Sequence, residues 1–303
     1  QCLVGSEMCI RDRVYISKEY KRPIAKPDMS SSNSMVGSEL LWDIGYEGEG
    51  MVVSIIDSGI DPSHKDFVIS EGVETKLDED NVNKLIGEKN LKGKYYTEKV
   101  PYGYNYFDRN NEIVDKSKTG GAHGMHVAGT VAANGNIEDK GIKGVAPEAQ
   151  VLAMKVFSNR IDIGTFDDIY LDAIEESIVL ESDVINMSLG SPAGFYQEDS
   201  AVNVGITNAV NNGIVCSISA GNEGYSTWGW EGHGGLPFKE NPDIGLVGTP
   251  GLAYESIQVA SVENTDITTP YLTYEIEGKK EKERGLIRNG IRKRKNKGKE
   301  VEE

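Results

Sequence analysis

The chain has 303 residues, 38% of them hydrophobic and 26% charged, which is an ordinary globular composition over a length that can bury a large core. A formal charge of -16 argues against a nucleic-acid backbone as the main partner, because phosphate binding needs a basic face. Three cysteines, two of them near the N-terminus, make neither a disulfide framework nor a zinc pattern, and no apolar run is long enough to span a bilayer.

Residues 1–13 have neither helical nor strand periodicity and resemble translated sequencing-adaptor sequence, so they carry no fold reasoning; no charged start with an apolar signal core is visible. From there the chain alternates apolar runs with amphipathic stretches. Residues 51–56 (Met-Val-Val-Ser-Ile-Ile), 151–157, 184–189, 214–219 and 257–260 read as strands, and 167–180 and 200–212 as crossover helices. Ile169, Ala173, Ile174 and Ile178 fall on one face of the first helix. This is the pattern of a doubly wound α/β fold, a parallel sheet covered on both faces, with sites built in the loops at the carboxyl ends of its strands. The tail from residue 278 to 303 sets eleven Lys/Arg against five Glu with almost no apolar residues, and is expected to be disordered or out of frame.

Three strand ends carry candidate chemistry. Asp57 stands where a buried strand stops and Gly59 lets the chain turn; alone, it serves equally as a catalytic carboxylate or as a cap for its own loop. His123 opens a small-residue helical stretch, His-Gly-Met-His-Val-Ala-Gly-Thr. His123 and His126, three apart, read alone as core histidines or as metal ligands, but no third ligand cluster stands near them. Asn222, in Ser-Ala-Gly-Asn-Glu-Gly directly after a strand, can aim an amide into a cleft. Together an Asp, a His and an Asn at such positions make an orienting carboxylate, a general base and an oxyanion donor.

The Asp57 motif, the His123 motif, Gly-Val-Ala-Pro at 144–147, Asn-Met-Ser-Leu-Gly at 186–190 and the Asn222 motif resemble the subtilisin family in order and spacing. His-Gly-Met-His at 123–126, the run at 146–157, Val-Gly-Thr-Pro-Gly at 247–251 and Ala-Ser-Val-Glu-Asn-Thr at 260–265 are similar to the lactocepin type of cell-envelope proteinase. The resemblance covers about residues 14–274. It implies a subtilisin-type sheet, incomplete at the C-terminus, with the catalytic-domain portion at 36–277 and a propeptide-like junction at 14–35. It further implies a serine endopeptidase in which Asp57 is the triad carboxylate, His123 the general base, His126 structural and Asn222 the oxyanion donor. Ser188, Leu189 and Gly190 become the strand that pairs with an extended substrate backbone. The implied partners are protein or peptide substrates, the implied state a monomer, and the implied location secreted or at the cell envelope.

The family's Gly-Thr-Ser-x-Ala nucleophile motif has no match, since Gly248-Thr249 is followed by Pro250; the expectation is that the serine lies beyond this sequence and that the chain by itself is inert. No cofactor is needed for the chemistry. A structural calcium ion is implied at Asp66 and Asn136, where related enzymes place a calcium carboxylate and loop. Two other classes compete. One is a catalytically dead domain of this fold that binds peptides; the other, a nucleotide-binding protein, places Gly45, Gly48 and Gly50 before the first strand instead of after it.

Overall fold

The structure is a computed structural model and describes residues 19–20, 29, 32–117, 122–161, 163–191, 194, 196–222, 247–262, 271–276 and 279–284. Its elements run β1 (Glu19–Tyr20), α1 (Ser32–Val36), α2 (Ser38–Trp42), β2 (Val52–Asp57), α3 (Glu79–Lys89), β3 (Tyr102–Asn105) and α4 (His123–Ala132). They continue through β4 (Gln150–Lys155), β5 (Thr165–Phe166), α5 (Asp167–Val179), β6 (Val184–Met187), α6 (Ala201–Asn211) and β7 (Val215–Ser219). The last are β8 (Ile257–Val259), β9 (Tyr271–Ile276) and β10 (Lys279–Arg284).

Six strands form one parallel sheet in the order β3-β4-β2-β6-β7-β8. Every residue of β2 and β4 is buried, as strands covered on both faces must be. Their side chains alternate between two cores. Val53, Ile55, Val151 and Ala153 face Ala128 and Ala132 of α4. Val52, Ile56, Leu152 and Met154 face the opposite way, into the cluster that holds Tyr170, Ala173 and Ile174 of α5, Ile206 and Ala209 of α6 and Val82 of α3. The two layers thus leave the carboxyl ends of the strands as one common edge.

The expected strands and crossover helices are present with bounds shifted by at most a few residues, and helix α4 begins at His123 as its sequence indicates. Ser200 caps α6 by accepting from the Asn203 amide, which fixes that boundary. Helix α3 and strand β3 are among the elements that went unread. Helix α3 has the signals of a helix: Asp78 accepts from the Asn81 amide at its start, and Asn90 ends it in a left-handed conformation. Edge strand β3, Tyr-Gly-Tyr-Asn, has no alternation to betray it; its pairing with β4 decides it.

The tail expected to be disordered or out of frame begins with a paired segment. Lys279–Arg284 pair antiparallel with Tyr271–Ile276, and the register sets Lys280 opposite Glu275 and Lys279 opposite Ile276. Only two residues separate the strands in sequence, so the pairing is local. Residues 1–13 and the rest of the tail lie outside the described residues. Among the described residues no helix is long and apolar enough to cross a membrane.

Edge and centre of the sheet differ in burial. Ile55 on β2 is 1% exposed, whereas Ile257 on edge strand β8 is 57% exposed. Ile55→Ala is expected to cost about 2–5 kcal/mol, and Ile257→Ala about 1 kcal/mol or less, in urea unfolding monitored by circular dichroism.

A cation is also buried. Lys99 donates to the Pro147 carbonyl, and desolvation pushes its ammonium down to about 7, opposed by the nearby Glu148 carboxylate. The unfolded chain therefore binds more protons than the folded one between about pH 7 and the ordinary lysine value near 10.5. The contribution of Lys99 to stability rises with pH across that window and is lowest below it. Lys99→Met is expected to raise Tm at pH 6, with the gain shrinking toward pH 10, in parallel thermal melts.

Candidate active site

The end of β2 is built for close approach. Asp57 is fully buried as the last residue of the strand, and its backbone carbonyl accepts from the Val156 amide at 2.9 Å. Its Oδ1 accepts from the Ser58 amide at 2.6 Å, which turns the carboxylate toward the loop. Gly59 then takes φ +125°, and a Cβ there would sit 2.2 Å from the Ile113 carbonyl oxygen, so neither the conformation nor the space admits a side chain.

Helix α4 presses its first turn onto that loop. Ala122 enters it in a left-handed conformation, with φ 56°, and offers no side-chain cap. A Cβ on Gly124 would lie 2.7 Å from both the nitrogen and the oxygen of Gly59 and 3.0 Å from the nitrogen of Ser58. Instead the Gly124 amide donates to Ser58 Oγ at 3.0 Å. The helix N-terminus, whose amides have no intrahelical acceptor, is thereby satisfied by the strand-end loop itself.

This approach delivers His123, 7% exposed, to Asp57. Its Nδ1 lies 2.8 Å from Oδ1 and 3.0 Å from Oδ2. A carboxylate only accepts, so Nδ1 carries the proton, and the neutral ring keeps its lone pair on Nε2. Residues 66 apart in sequence thus form one buried, oriented acid–base pair.

The remaining expected residues share the carboxyl edge. Strand β2 pairs with β6, and β6 with β7. Asp57 and Ser188 each stand two residues past the Ile55–Asn186 pair, so the two strand ends are level. Asn186 donates to Ser188 Oγ at 3.1 Å, Leu189 is 2% exposed, and the Leu189 carbonyl accepts from Ser219 Oγ at 3.3 Å. Beyond Gly190, Ser191 and Thr249 exchange both backbone hydrogen bonds, at 2.8 and 3.0 Å. Gly248 also donates to the Ala220 carbonyl at 2.7 Å, so the 247–250 segment bridges the ends of β6 and β7. Asn222 is exposed, three residues past the end of β7.

His126 and the calcium residues stand elsewhere. His126 Nδ1 is buried with no hydrogen-bond partner, and the residue lines a cavity of about 220 Å³ with His64, Asp66, Phe67 and Met125. Asp66 Oδ2 accepts from the Ile142 amide at 3.1 Å, and Asn136 Oδ1 accepts from the Glu138 amide at 2.8 Å. A Cβ on Gly135 would fall 2.4 Å from Asp66 Oδ1. Both side chains spend oxygens on backbone amides, and among the described residues no three acidic, histidine or cysteine side chains gather to hold a metal. Nothing in the chemistry below runs through a calcium ion.

Reading the residues for chemistry alone missed Ser58 and Gly124 as parts of the site. A glycine in the first turn of a helix, directly after the histidine, is the signal that could have found the second, because it costs helix propensity unless a neighbour needs the space. Gly124→Ala is expected to destabilise the chain by about 1–3 kcal/mol in chemical denaturation, since the clash is with backbone and cannot be relieved by a rotamer change.

Residues 48–298 match the Subtilase family. The chain is 43% identical over 255 residues to the PII-type proteinase of Lactococcus lactis subsp. cremoris, covering 82% of this chain and 13% of that protein. It is 31% identical over 237 residues to the minor extracellular protease Vpr of Bacillus subtilis (strain 168), covering 78% of this chain and 23% of that protein. Among solved structures it is similar to sphericase, with a TM-score of 0.45 and 24% identity over 78% of this chain and 59% of that one. The chain thus spans less than a quarter of the length of these two curated relatives. A family match over most of the chain and a buried Asp57–His123 pair in the family's motifs lead to one conclusion: the chain belongs to the subtilase family.

Proposed function

We propose that this chain supplies the acid–base pair and the substrate-binding edge of a serine endopeptidase acting on extended protein segments. One observation carries the reading: His123 Nδ1 is held between both oxygens of a buried carboxylate, which leaves Nε2 as the proton acceptor. In this reading Nε2 takes the proton of a serine hydroxyl as that oxygen attacks the scissile carbonyl, and later returns it to the leaving amine. Asp57 fixes the tautomer and stabilises the imidazolium that forms. Asn222 donates to the developing oxyanion, and Ser188–Gly190 pair with the substrate backbone in extended form.

The nucleophile in this proposal is a serine in the family's Gly-Thr-Ser-x-Ala setting, which the 303 residues do not contain. The whole protein would supply it. A peptidase that acts on proteins outside the cell is in keeping with the extracellular Vpr relative, and we propose the same location here, as a monomer.

A serine-directed fluorophosphonate tests the proposal in two proteins. The 303-residue chain is expected to take up no stoichiometric label. The longer protein that contains the serine motif is expected to be labelled and to cleave casein. His123→Ala in that protein should lower kcat by about 10⁶-fold and Asn222→Ala by about 10²- to 10³-fold, the sizes of loss that the corresponding groups of subtilisin itself define. Undiminished casein cleavage by His123→Ala would overturn the assignment.

A further inference from the structure

A second buried cation lies beside the acid–base pair. Lys155, the last residue of β4, is fully buried and stands opposite Asp57 in the strand register. Both residues share the parity of Val53, Ile55, Val151 and Ala153, so both project to the face that α4 covers. The Nζ of Lys155 donates to the carbonyl of Ser58.

Ser58 is then held at three atoms. Its carbonyl receives Lys155, its amide donates to Asp57 Oδ1 at 2.6 Å, and its Oγ receives the Gly124 amide at 3.0 Å. These bonds run without a break from β4 through the Asp57 loop to the first turn of α4, where His123 sits. Burying an ammonium is costly, and a methionine would fill a similar volume without that cost. The expense is offset where the ammonium secures a backbone oxygen that would otherwise lack a donor.

We infer that Lys155 is a positioning residue for the catalytic pair: by holding the Ser58 carbonyl it sets the loop so that the Asp57 carboxylate faces His123 Nδ1. The inference rests on the Asp57–His123 pair but not on peptidase activity, so it is tested in the 303-residue chain itself. The readout is the low-field proton resonance of the His123 Nδ1–H bonded to a carboxylate, assigned by its absence from Asp57→Ala. The unsubstituted chain is expected to show it. Lys155→Met is expected to lose it or broaden it by solvent exchange, and Lys155→Gln, which keeps a polar side chain but is one bond shorter and uncharged, should do the same. Lys99→Met, which alters a buried lysine elsewhere, is expected to retain it. An unmoved resonance in folded Lys155→Met overturns the inference; if that variant does not fold, an unmoved resonance in Lys155→Gln does. Absence of the resonance from the unsubstituted chain would reject the pair itself, whatever the longer protein cleaves.

Discussion

The working end of this molecule depends on a backbone-to-backbone contact between Gly124 and Gly59. The approach leaves no room for a Cβ on Gly124, while the Ile113 carbonyl excludes one on Gly59, and it is what brings an imidazole from a helix to a carboxylate on a strand. A helix starting one residue later or rotated by a fraction of a turn would carry the ring out of reach of Asp57. Interiors packed at crystal-like density do not absorb such shifts, so the histidine's position is as rigid as the sheet beneath it.

That rigidity suits what the pair is proposed to do. A general base works through orientation, and the carboxylate that orients it must itself be fixed without water. Asp57 is fully buried, and its oxygens are engaged by the Ser58 amide and the His123 ring. The parallel sheet contributes the rest. Because β2, β6 and β7 are neighbours and run the same way, Asp57, Ser188–Gly190 and Asn222 all follow carboxyl ends on one edge.

Burial of polar groups recurs away from this edge. Glu176 on α5 accepts from the hydroxyls of Tyr102 and Tyr106, and burial together with the glutamate's charge raises both phenols well above the usual tyrosine range. These hydroxyls therefore stay protonated and remain donors, so the acid is satisfied inside the core it helps to close. Lys99, Lys155 and Glu176 occupy sequence positions that a reader assigns to solvent, because a charged residue in a strand or helix usually marks the exposed face.

The sequence by itself determined the central strands, the two crossover helices and the start of α4 at His123, and the resemblance of its motifs to the subtilisin family implied the pairing of Asp57 with His123. Those features are local, or are written in short motifs whose residue types the chemistry dictates. Tertiary structure alone decided the strand order, the edge strand β3, and the burial of Lys155 and Glu176. Lys155 meets its carbonyl acceptor 97 residues away, and Glu176 meets its tyrosines 74 and 70 residues away. A buried charge is tolerated only when a distant partner arrives to meet it, and no window of sequence contains both members of such a pair.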